Sequence, residues 1–382
     1  KDGLIETVAS GVSRLNYPLI DGVVKGCPHH ILEPQRINDL QRSQEFDNTY
    51  WTKYQTSVSA NLSISPDGTL NADKLIEDNS NSTHLLGRAI GYNSGTTYTV
   101  SLFAKSSNRN LEIAAGNTNT FPVKAIFDLS NGTVLSSTLG NSSIENYGNG
   151  WYRCIITATA LATATTNINF GLTNGSVLSY SGDGVSFIEL FGAMREQGSY
   201  PTSYIPTNGS AATRSAETAN GSGDVSTFND SEGVLMAEIS ALANDGNNRS
   251  IAVINNNSNR ISFRYDNSAN RIEFYCIATT QQYGYSHTLS DIKEVLKVAF
   301  LYSNNNFQVW INGIKVDFQN SGSTPIDLSS LDFNLDGGAN DFYGNTKQLQ
   351  YFDSALNDSD LETLTSWQSF TDMANGQLYT IE

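Results

Sequence analysis

The chain has 382 residues, of which 38% are hydrophobic and 16% are charged, and this length accommodates two or three ordinary domains. Its formal net charge of −16 at pH 7 disfavours nucleic acids and anionic membrane surfaces as partners, because both repel a negatively charged protein. Frequent Asn, Ser, Thr and Gly favour short strands joined by polar turns, and no apolar run is long enough to span a membrane.

The first forty-odd residues show no sustained periodicity. Pro18, Pro28 and Pro34 separate short apolar pairs, and none of these pairs is large enough to build a core. Chain ends of this kind gain order mainly by docking on another surface. We therefore predict an extended N-terminal docking arm over residues 1–44.

The next region, residues 45–206, has a regular strand pattern. Apolar and polar residues alternate with a period of two, and Gly, Asn and Asp separate the alternating segments. The clearest predicted strands cover residues 98–104, 123–127, 151–159, 168–172 and 185–191. Strands without intervening helices predict an antiparallel jelly roll.

A second series of strands follows a Gly- and Ser-rich segment. We predict a linker at 207–230, because this composition bends easily and packs poorly. The predicted strands of the region 231–370 are 233–239, 250–254, 261–265, 271–277, 294–302 and 307–311. Asn312-Gly313 predicts a type I′ hairpin turn, because both residues tolerate positive φ.

One helix is predicted near the end of this region. Asn357 or Asp358 can cap it, and Leu361, Leu364 and Trp367 form an apolar stripe that should lie against a sheet. Residues 371–382 are predicted to form a C-terminal tail. The predicted fold class is therefore all-β, with two antiparallel β-sandwich domains in tandem after the extended arm.

The first region resembles a known family. The segments FIELFGAMREQGSYPTSYIPT at 187–207, SPDGTLNADKL at 65–75 and GNGWYR at 148–153 resemble the carbohydrate-binding-module-like jelly rolls of bacteriophage tail and other virion proteins. The runs GLIE at 3–6, RLNY at 14–17 and LEPQRIN at 32–38 resemble the leader that precedes this module. The resemblance implies a jelly-roll domain in a viral particle.

The second region resembles a concanavalin A-like or laminin-G-like sandwich. The resemblance lies in FQVWINGIKV at 307–316, in the Gly-rich stretch from Asp336 to Gly344, and in LQYFDSALNDSDLETL at 349–364. These motifs are shared by many extracellular and virion modules. They imply the fold and the setting of the domain more firmly than its ligand.

Together the resemblances imply a non-enzymatic structural protein on the surface of a bacteriophage virion, as a tail fiber, spike or decoration component. The implied role is host attachment through lectin-like binding of a host-surface glycan, with other virion proteins as partners. A homo-oligomer is expected, and a trimer is common among phage fibers. Two alternatives stay open: a purely structural capsid or tail protein without sugar binding, and a polysaccharide-degrading enzyme on the same fold.

Aromatic residues beside flexible turns are the candidates for glycan binding. Gln282, Tyr283, Tyr285 and His287 lie in a stretch that resembles a loop rather than a core strand. We predict that they form an exposed aromatic cluster. Aromatic faces stack on sugar rings, and neighbouring polar groups bind hydroxyls. The other interpretation of this cluster is loop packing or a subunit contact.

Other aromatic residues rank lower as sugar ligands. Tyr92 and Tyr147 lie beside Asn and Gly and are second-rank candidates. The tryptophans lie on predicted strands or on the helix stripe and are predicted to belong to the core; they are Trp51, Trp151, Trp310 and Trp367.

Calcium is the one cofactor for which the sequence offers ligands. Asp332, Asp336 and Asp341 surround two glycines, and Ca²⁺ prefers hard oxygen ligands on tight loops. Their spacing does not match an EF-hand, and a solvated turn is the other interpretation. No further cofactor is predicted.

Catalytic chemistry finds little support. Asp358, Asp360 and Glu362 have the alternate spacing of an acidic triplet, but on a helix steps of two turn the side chains by about 200° and scatter them. The four histidines lie apart from any nucleophile and base arrangement. Cys27, Cys154 and Cys276 are too far apart for a disulfide framework, which predicts buried unpaired thiols.

Overall fold

The computed structural model describes residues 4–20, 22–335, 337–369, 371, 373 and 374. These residues form antiparallel sheets and one named helix, which confirms the prediction of an all-β fold. No helix among them is long and apolar enough to cross a membrane. Most of the predicted tail at 371–382 lies outside the described residues.

The first part of the chain contains five short strands, β1 to β5, followed by strands that are mostly longer. They are β1 Leu15–Asn16, β2 Leu19–Ile20, β3 Val23–Val24, β4 His29–Leu32, β5 Arg36–Asn38, β6 Thr52–Tyr54, β7 Thr56–Ile64, β8 Leu70–Glu77, β9 Asn81–Tyr92, β10 Thr97–Ser106, β11 Asn110–Ala115, β12 Lys124–Asp128, β13 Thr133–Ser137, β14 Asn141–Gly148, β15 Trp151–Thr159, β16 Ala164–Thr173, β17 Ser179–Ser181, β18 Phe187–Gln197 and β19 Ala212–Arg214.

The later part of the chain contains strands β20 to β29 and the helix α1. They are β20 Glu232–Ala241, β21 Arg249–Asn256, β22 Asn259–Tyr265, β23 Arg271–Ala278, β24 Thr280–Thr288, β25 Leu296–Ser303, β26 Asn306–Ile311, β27 Ile314–Gln319, β28 Ser330–Asp332, β29 Gly344–Phe352 and α1 Asp358–Thr365.

The chain divides into two units. Unit 1 comprises Lys1–Thr7, Leu19–Val24 and Gln35–Ser215. Unit 2 comprises Val8–Pro18, Lys25–Pro34 and Ala216–Glu382. This division differs from the predicted one, because pieces of the predicted arm belong to each unit.

Unit 1 has two antiparallel sheets around one apolar core. The six-stranded sheet has the order β14-β15-β10-β18-β8-β7, and the other has β13-β12-β11-β16-β9-β17 with β6 also paired to β9. Val100, Leu102 and Ala104 of β10 point into the core with no exposed surface. Each large apolar side chain buried in this way contributes about 1.5–3 kcal/mol to folding.

Unit 2 has the same layered construction. Its seven-stranded sheet has the order β1-β4-β29-β20-β25-β26-β27, and its five-stranded sheet has β24-β23-β22-β21-β28. Phe274 of β23 meets Phe300 of β25 edge to face, with ring centroids 5.9 Å apart, inside the core between these sheets. Aromatic pairs in this arrangement add specificity to the packing.

Part of the predicted arm, strands β1 and β4, belongs to the seven-stranded sheet of unit 2. Backbone pairing joins β4 to β29, with Leu32 opposite Gly344. Arg14 donates from Nη2 to Glu217 at 2.9 Å and forms an ion pair with Glu33. The edge of β29 offers unpaired backbone groups, and β4 satisfies them. This part of the predicted arm therefore docks on its own chain.

The predicted linker at 207–230 also makes specific contacts. Its residues 212–214 form β19, which pairs with β5 in unit 1. Ser222 is bridged to Leu331 in unit 2. Polar composition alone predicted a flexible connection, whereas both ends of the segment are held by backbone hydrogen bonds.

Two local predictions are confirmed. Asn312 and Gly313 have φ values of 47° and 83°, as a type I′ turn between β26 and β27 requires. Asn357 caps α1 by accepting a hydrogen bond from the backbone of Asp360, and Leu361 is buried against β25 and β26. All three cysteines are unpaired, but Cys27 is exposed rather than buried.

We expect Gly313→Ala to lower the free energy of unfolding by more than Gly221→Ala. Both glycines have φ near 80°, where an L side chain costs about 1–2 kcal/mol. A Cβ at Gly313 would also collide with Ser366 Oγ, whereas nothing lies within 4 Å of one at Gly221. Urea denaturation of both variants measures the difference, and equal losses would show that the contact does not matter.

A second prediction concerns His29 of β4. Burial, with a smaller effect of Lys347, lowers the pKa of His29 to about 4. Between that pH and about 6.5 the unfolded chain therefore binds a proton that the folded chain does not, so stability falls as the pH falls. We expect His29→Asn to reduce this loss by about 1–2 kcal/mol, measured by urea denaturation across that pH range. Parallel pH profiles of the two proteins would contradict this.

Candidate functional site

A groove of about 370 Å³ opens on the outer face of the six-stranded sheet in unit 1. We call it the β10 groove, and the side chains that matter below are Ser63, Lys105, Tyr147, Trp151 and Glu189. Small-molecule sites usually enclose roughly 300–1,000 Å³. The β10 groove therefore has the size of a ligand site.

Strand register brings the central groove residues into one line. Lys105 of β10 lies opposite Trp151 of β15 on one side and opposite Glu189 of β18 on the other. Directly paired residues project from the same face of a sheet. The three side chains therefore rise side by side, although they come from distant parts of the sequence.

The polar side of the groove combines a carboxylate and an ammonium group. Ser63 Oγ donates to Glu189 Oε1 at 2.6 Å, which orients the carboxylate. The stem of Lys105 passes close to Gly150, where a Cβ would lie 3.3 Å from Lys105 Cε. In the described part of the chain, Lys105 and Glu189 form no ion pair with each other.

A tight turn builds the aromatic side of the groove. Asn149 and Gly150 have φ values of 52° and 79°, so β14 and β15 are joined by the same kind of turn as β26 and β27. This turn places Tyr147 close to Trp151. Trp151 Nε1 donates to the carbonyl of Ile64 at 3.1 Å, which fixes the indole.

The hairpin between β7 and β8 forms one wall. Asp67 accepts hydrogen bonds from Ser65 Oγ and from the Thr69 backbone, each at 2.8 Å. Burial raises the pKa of Asp67, but hydrogen bonds from Thr69, Asn71 and Ser65 outweigh it and lower the pKa overall. The carbonyl of Pro66 accepts from the backbone of Ile5 at 2.9 Å, so the N-terminal segment borders the groove.

A buried cation, Arg153, interacts with Tyr147, which borders the groove. Arg153 Nη2 donates to Ser101 Oγ at 3.0 Å and to the carbonyl of Thr202 at 2.7 Å. Burial works to lower the pKa of Arg153, but Tyr147, Glu145 and Glu196 outweigh it and raise the pKa. The guanidinium therefore stays charged and holds the segment around Thr202 against the sheet.

The structure places the predicted glycan-binding residues differently from the expectation. They lie on strand β24 and not in a loop, and Tyr283 is buried, stacked on Phe307 with centroids 5.5 Å apart. Its hydroxyl donates to Asp317 at 2.5 Å, and burial followed by Asp317 raises the pKa of Tyr283. The prediction of an exposed Tyr283 is therefore wrong, because β27 and the facing sheet cover this ring.

The neighbours of Tyr283 are less buried but are committed to local contacts. Tyr285 Oη and His287 Nδ1 lie 3.0 Å apart, and Gln282 Oε1 accepts from the backbone of Ser323 at 3.1 Å. Tyr285 and His287 thus come together, whereas Gln282 anchors a crossing loop. Their role as a glycan site stays a prediction.

The two second-rank candidates for sugar binding, Tyr92 and Tyr147, differ in their exposure. Tyr92 is 1% exposed and stacks on Phe121 in the core, whereas Tyr147 borders the β10 groove. Of the four predicted core tryptophans, Trp51, Trp151 and Trp310 are buried. The prediction for Trp367 is wrong, because α1 ends at Thr365 and Trp367 lies beyond it, partly exposed. Lys105, Glu189 and Ser63 were not predicted as site residues, although strand alternation and the Asn149-Gly150 turn indicate part of the arrangement.

The predicted calcium ligands already have hydrogen-bond partners. Asp332 accepts from the backbone of Gly221 at 2.6 Å, and Asp341 accepts from Tyr343 Oη at 3.0 Å. Asp336 lies outside the described residues. Within the described ranges, no three His, Cys, Asp or Glu side chains are arranged to hold a metal. Calcium binding stays a prediction.

Comparison with known proteins gives only distant structural similarity. No protein-family model matches the sequence, and no curated protein matches it. A CBM40 domain of a Ruminococcus gnavus sialidase, bound to α2,3-sialyllactose, is 12% identical with a TM-score of 0.32, covering 39% of this chain and 97% of that one.

Two further solved structures are similar at the same level. Domains LG4-5 of the mouse laminin α1 chain are 12% identical over 75% of this chain and 91% of that chain, with a TM-score of 0.27. A Trypanosoma rangeli sialidase is 9% identical over 81% of this chain and 62% of that chain, with a TM-score of 0.31. At TM-scores this low, the similarities support no conclusion about function.

We expect Arg153→Met to destabilise the protein by about 2 kcal/mol or more, because the carbonyl of Thr202 loses a charged donor while it stays buried. Urea denaturation measures the loss, and limited proteolysis should cut near Thr202 sooner. The matched control is Lys124→Met at the exposed first residue of β12, which should change stability by less than about 0.5 kcal/mol. Equal stability of the two variants would show that Arg153 is dispensable.

Proposed function

We propose that this protein binds a saccharide in the β10 groove. The observation that carries the proposal is that Lys105 and Glu189 stand side by side on neighbouring strands in a groove bordered by the partly exposed ring of Tyr147, next to the buried indole of Trp151. Sugar rings have apolar C–H faces and a rim of hydroxyl groups. A groove with aromatic residues at one side and charged hydrogen-bonding groups at the other matches both features.

Binding without cleavage is the activity that we propose. Glycoside hydrolysis commonly uses two carboxyl groups on opposite sides of the scissile bond. Among the described residues that line the β10 groove, Glu189 is the one with a carboxylate. This composition supports a binding site, and a reducing-end assay on polysaccharides that the protein binds tests the absence of hydrolysis.

Attachment to a glycan-coated host surface is the setting that we propose, following the resemblance of the sequence to virion modules. Many copies on one particle convert weak individual sites into strong attachment. An open groove of this kind needs only modest affinity in that setting.

A structural role is the second candidate function, and one observation favours it. Leu62, Ile64 and Leu70 at the β7–β8 hairpin are 55%, 62% and 62% exposed. Exposed apolar residues that lie together often mark a protein contact. In this alternative the hairpin packs against another virion protein, and the groove beside it takes no sugar.

We expect Ser63→Phe to weaken saccharide binding strongly. The phenyl ring would occupy the β10 groove, and the hydrogen bond to Glu189 would be lost. A glycan array with the protein clustered on beads identifies ligands for the wild type. Titration calorimetry should then show at least about a tenfold weaker affinity for the variant.

The matched control is Ser136→Phe, which adds the same ring on exposed β13 of the other sheet. It should bind as the wild type does. Unchanged binding by Ser63→Phe, together with loss of binding in Tyr285→Ala, would contradict the proposal and move the site to β24. Absence of binding by the clustered wild type would favour the structural alternative.

A further inference from the structure

The β10 groove holds opposite charges that leave each other unpaired. Lys105 and Glu189 are direct cross-strand partners, so their side chains leave the sheet next to each other. Within the described residues neither forms an ion pair. A third charged residue, Lys74 of β8, lies opposite Glu189 on its other side, but its Nζ sits 4.1 Å from the ring centroid of Phe187.

The hydrogen-bonding capacity of the pair is therefore largely free. An ammonium group carries three donors, and none of those of Lys105 meets an acceptor in the described part of the chain. Glu189 uses Oε1 to accept from Ser63, and Oε2 has no protein donor there. A donor and an acceptor thus stand side by side at the polar rim.

From this arrangement we infer that the β10 groove takes a neutral saccharide with two adjacent hydroxyl groups. One hydroxyl accepts a hydrogen bond from Lys105, and its neighbour donates to Glu189. Charged partners make such hydrogen bonds stronger than neutral ones. The inference rests on the proposed function and adds the class of ligand to it.

The charge balance separates neutral from acidic sugars. A uronic acid that paired with Lys105 would bring its own carboxylate close to Glu189, and the two negative charges would repel. The net charge of −16 adds a long-range repulsion against polyanionic polysaccharides. Neutral hydroxyl groups meet neither penalty.

Affinity electrophoresis provides the test, with neutral polymers (dextran, mannan and galactan) and uronate polymers (polygalacturonate and alginate) as probes. The wild type should bind a neutral polymer, with less than about a twofold change in affinity between ~50 and ~500 mM NaCl. Lys105→Met and Glu189→Gln should each weaken that binding about tenfold, because each removes a charged hydrogen bond.

Matched controls are Lys124→Met and Asp47→Asn, which remove exposed charges outside the groove and should bind as the wild type does. Preferential, salt-sensitive binding of a uronate polymer, with Glu189→Gln binding it more tightly, would overturn the inference while leaving a saccharide site in place. Loss of binding in Ser63→Phe with full binding in Glu189→Gln would also overturn it. Absence of binding to every probe by the wild type would instead contradict the proposed function itself.

Discussion

Along each strand of the six-stranded sheet in unit 1, successive side chains alternate between the core face and the outer face. The core and the groove of this domain both depend on that alternation. In β10, Val100 and Leu102 point into the core, while Phe103 and Lys105 point outward. Because side chains alternate with a period of two, a slip of one residue would move Lys105 into the core. The apolar core therefore locks the register that builds the groove.

The outer face of the same sheet is partly covered, and this cover defines where the groove lies. Phe103, Trp151 and Phe191 form a second apolar cluster on that face, with Tyr204 packed against it. β18 shifts its register on β10 around Gly192, which has a positive φ and where a Cβ would lie 2.9 Å from the ring of Phe103. The Arg153 hydrogen bonds hold the covering segment down. Near Lys105 and Glu189 the described residues leave the β10 groove open.

Local sequence signals predicted much of the framework and little of the groove. The Asn312-Gly313 turn and the Asn357 cap are properties of neighbouring residues, and both were predicted. Tyr283 was predicted to be exposed, because its Gly and Gln neighbours resemble those of a loop. In the fold, strands β26 and β27 of the facing sheet bury its ring. No residue near Tyr283 in the sequence predicts that contact.

Residue patterns that are local in the sequence are sufficient for three kinds of element: strands from alternation, turns from residues that tolerate positive φ, and a helix from its cap and apolar stripe. Tertiary structure decided which strands became neighbours. Lys105, Trp151 and Glu189 lie on three strands that are far apart in sequence, and their meeting depends on backbone pairing between those strands. Pairing is selected by burial of the whole core rather than by any short segment, so the groove exists only once the sheet has formed.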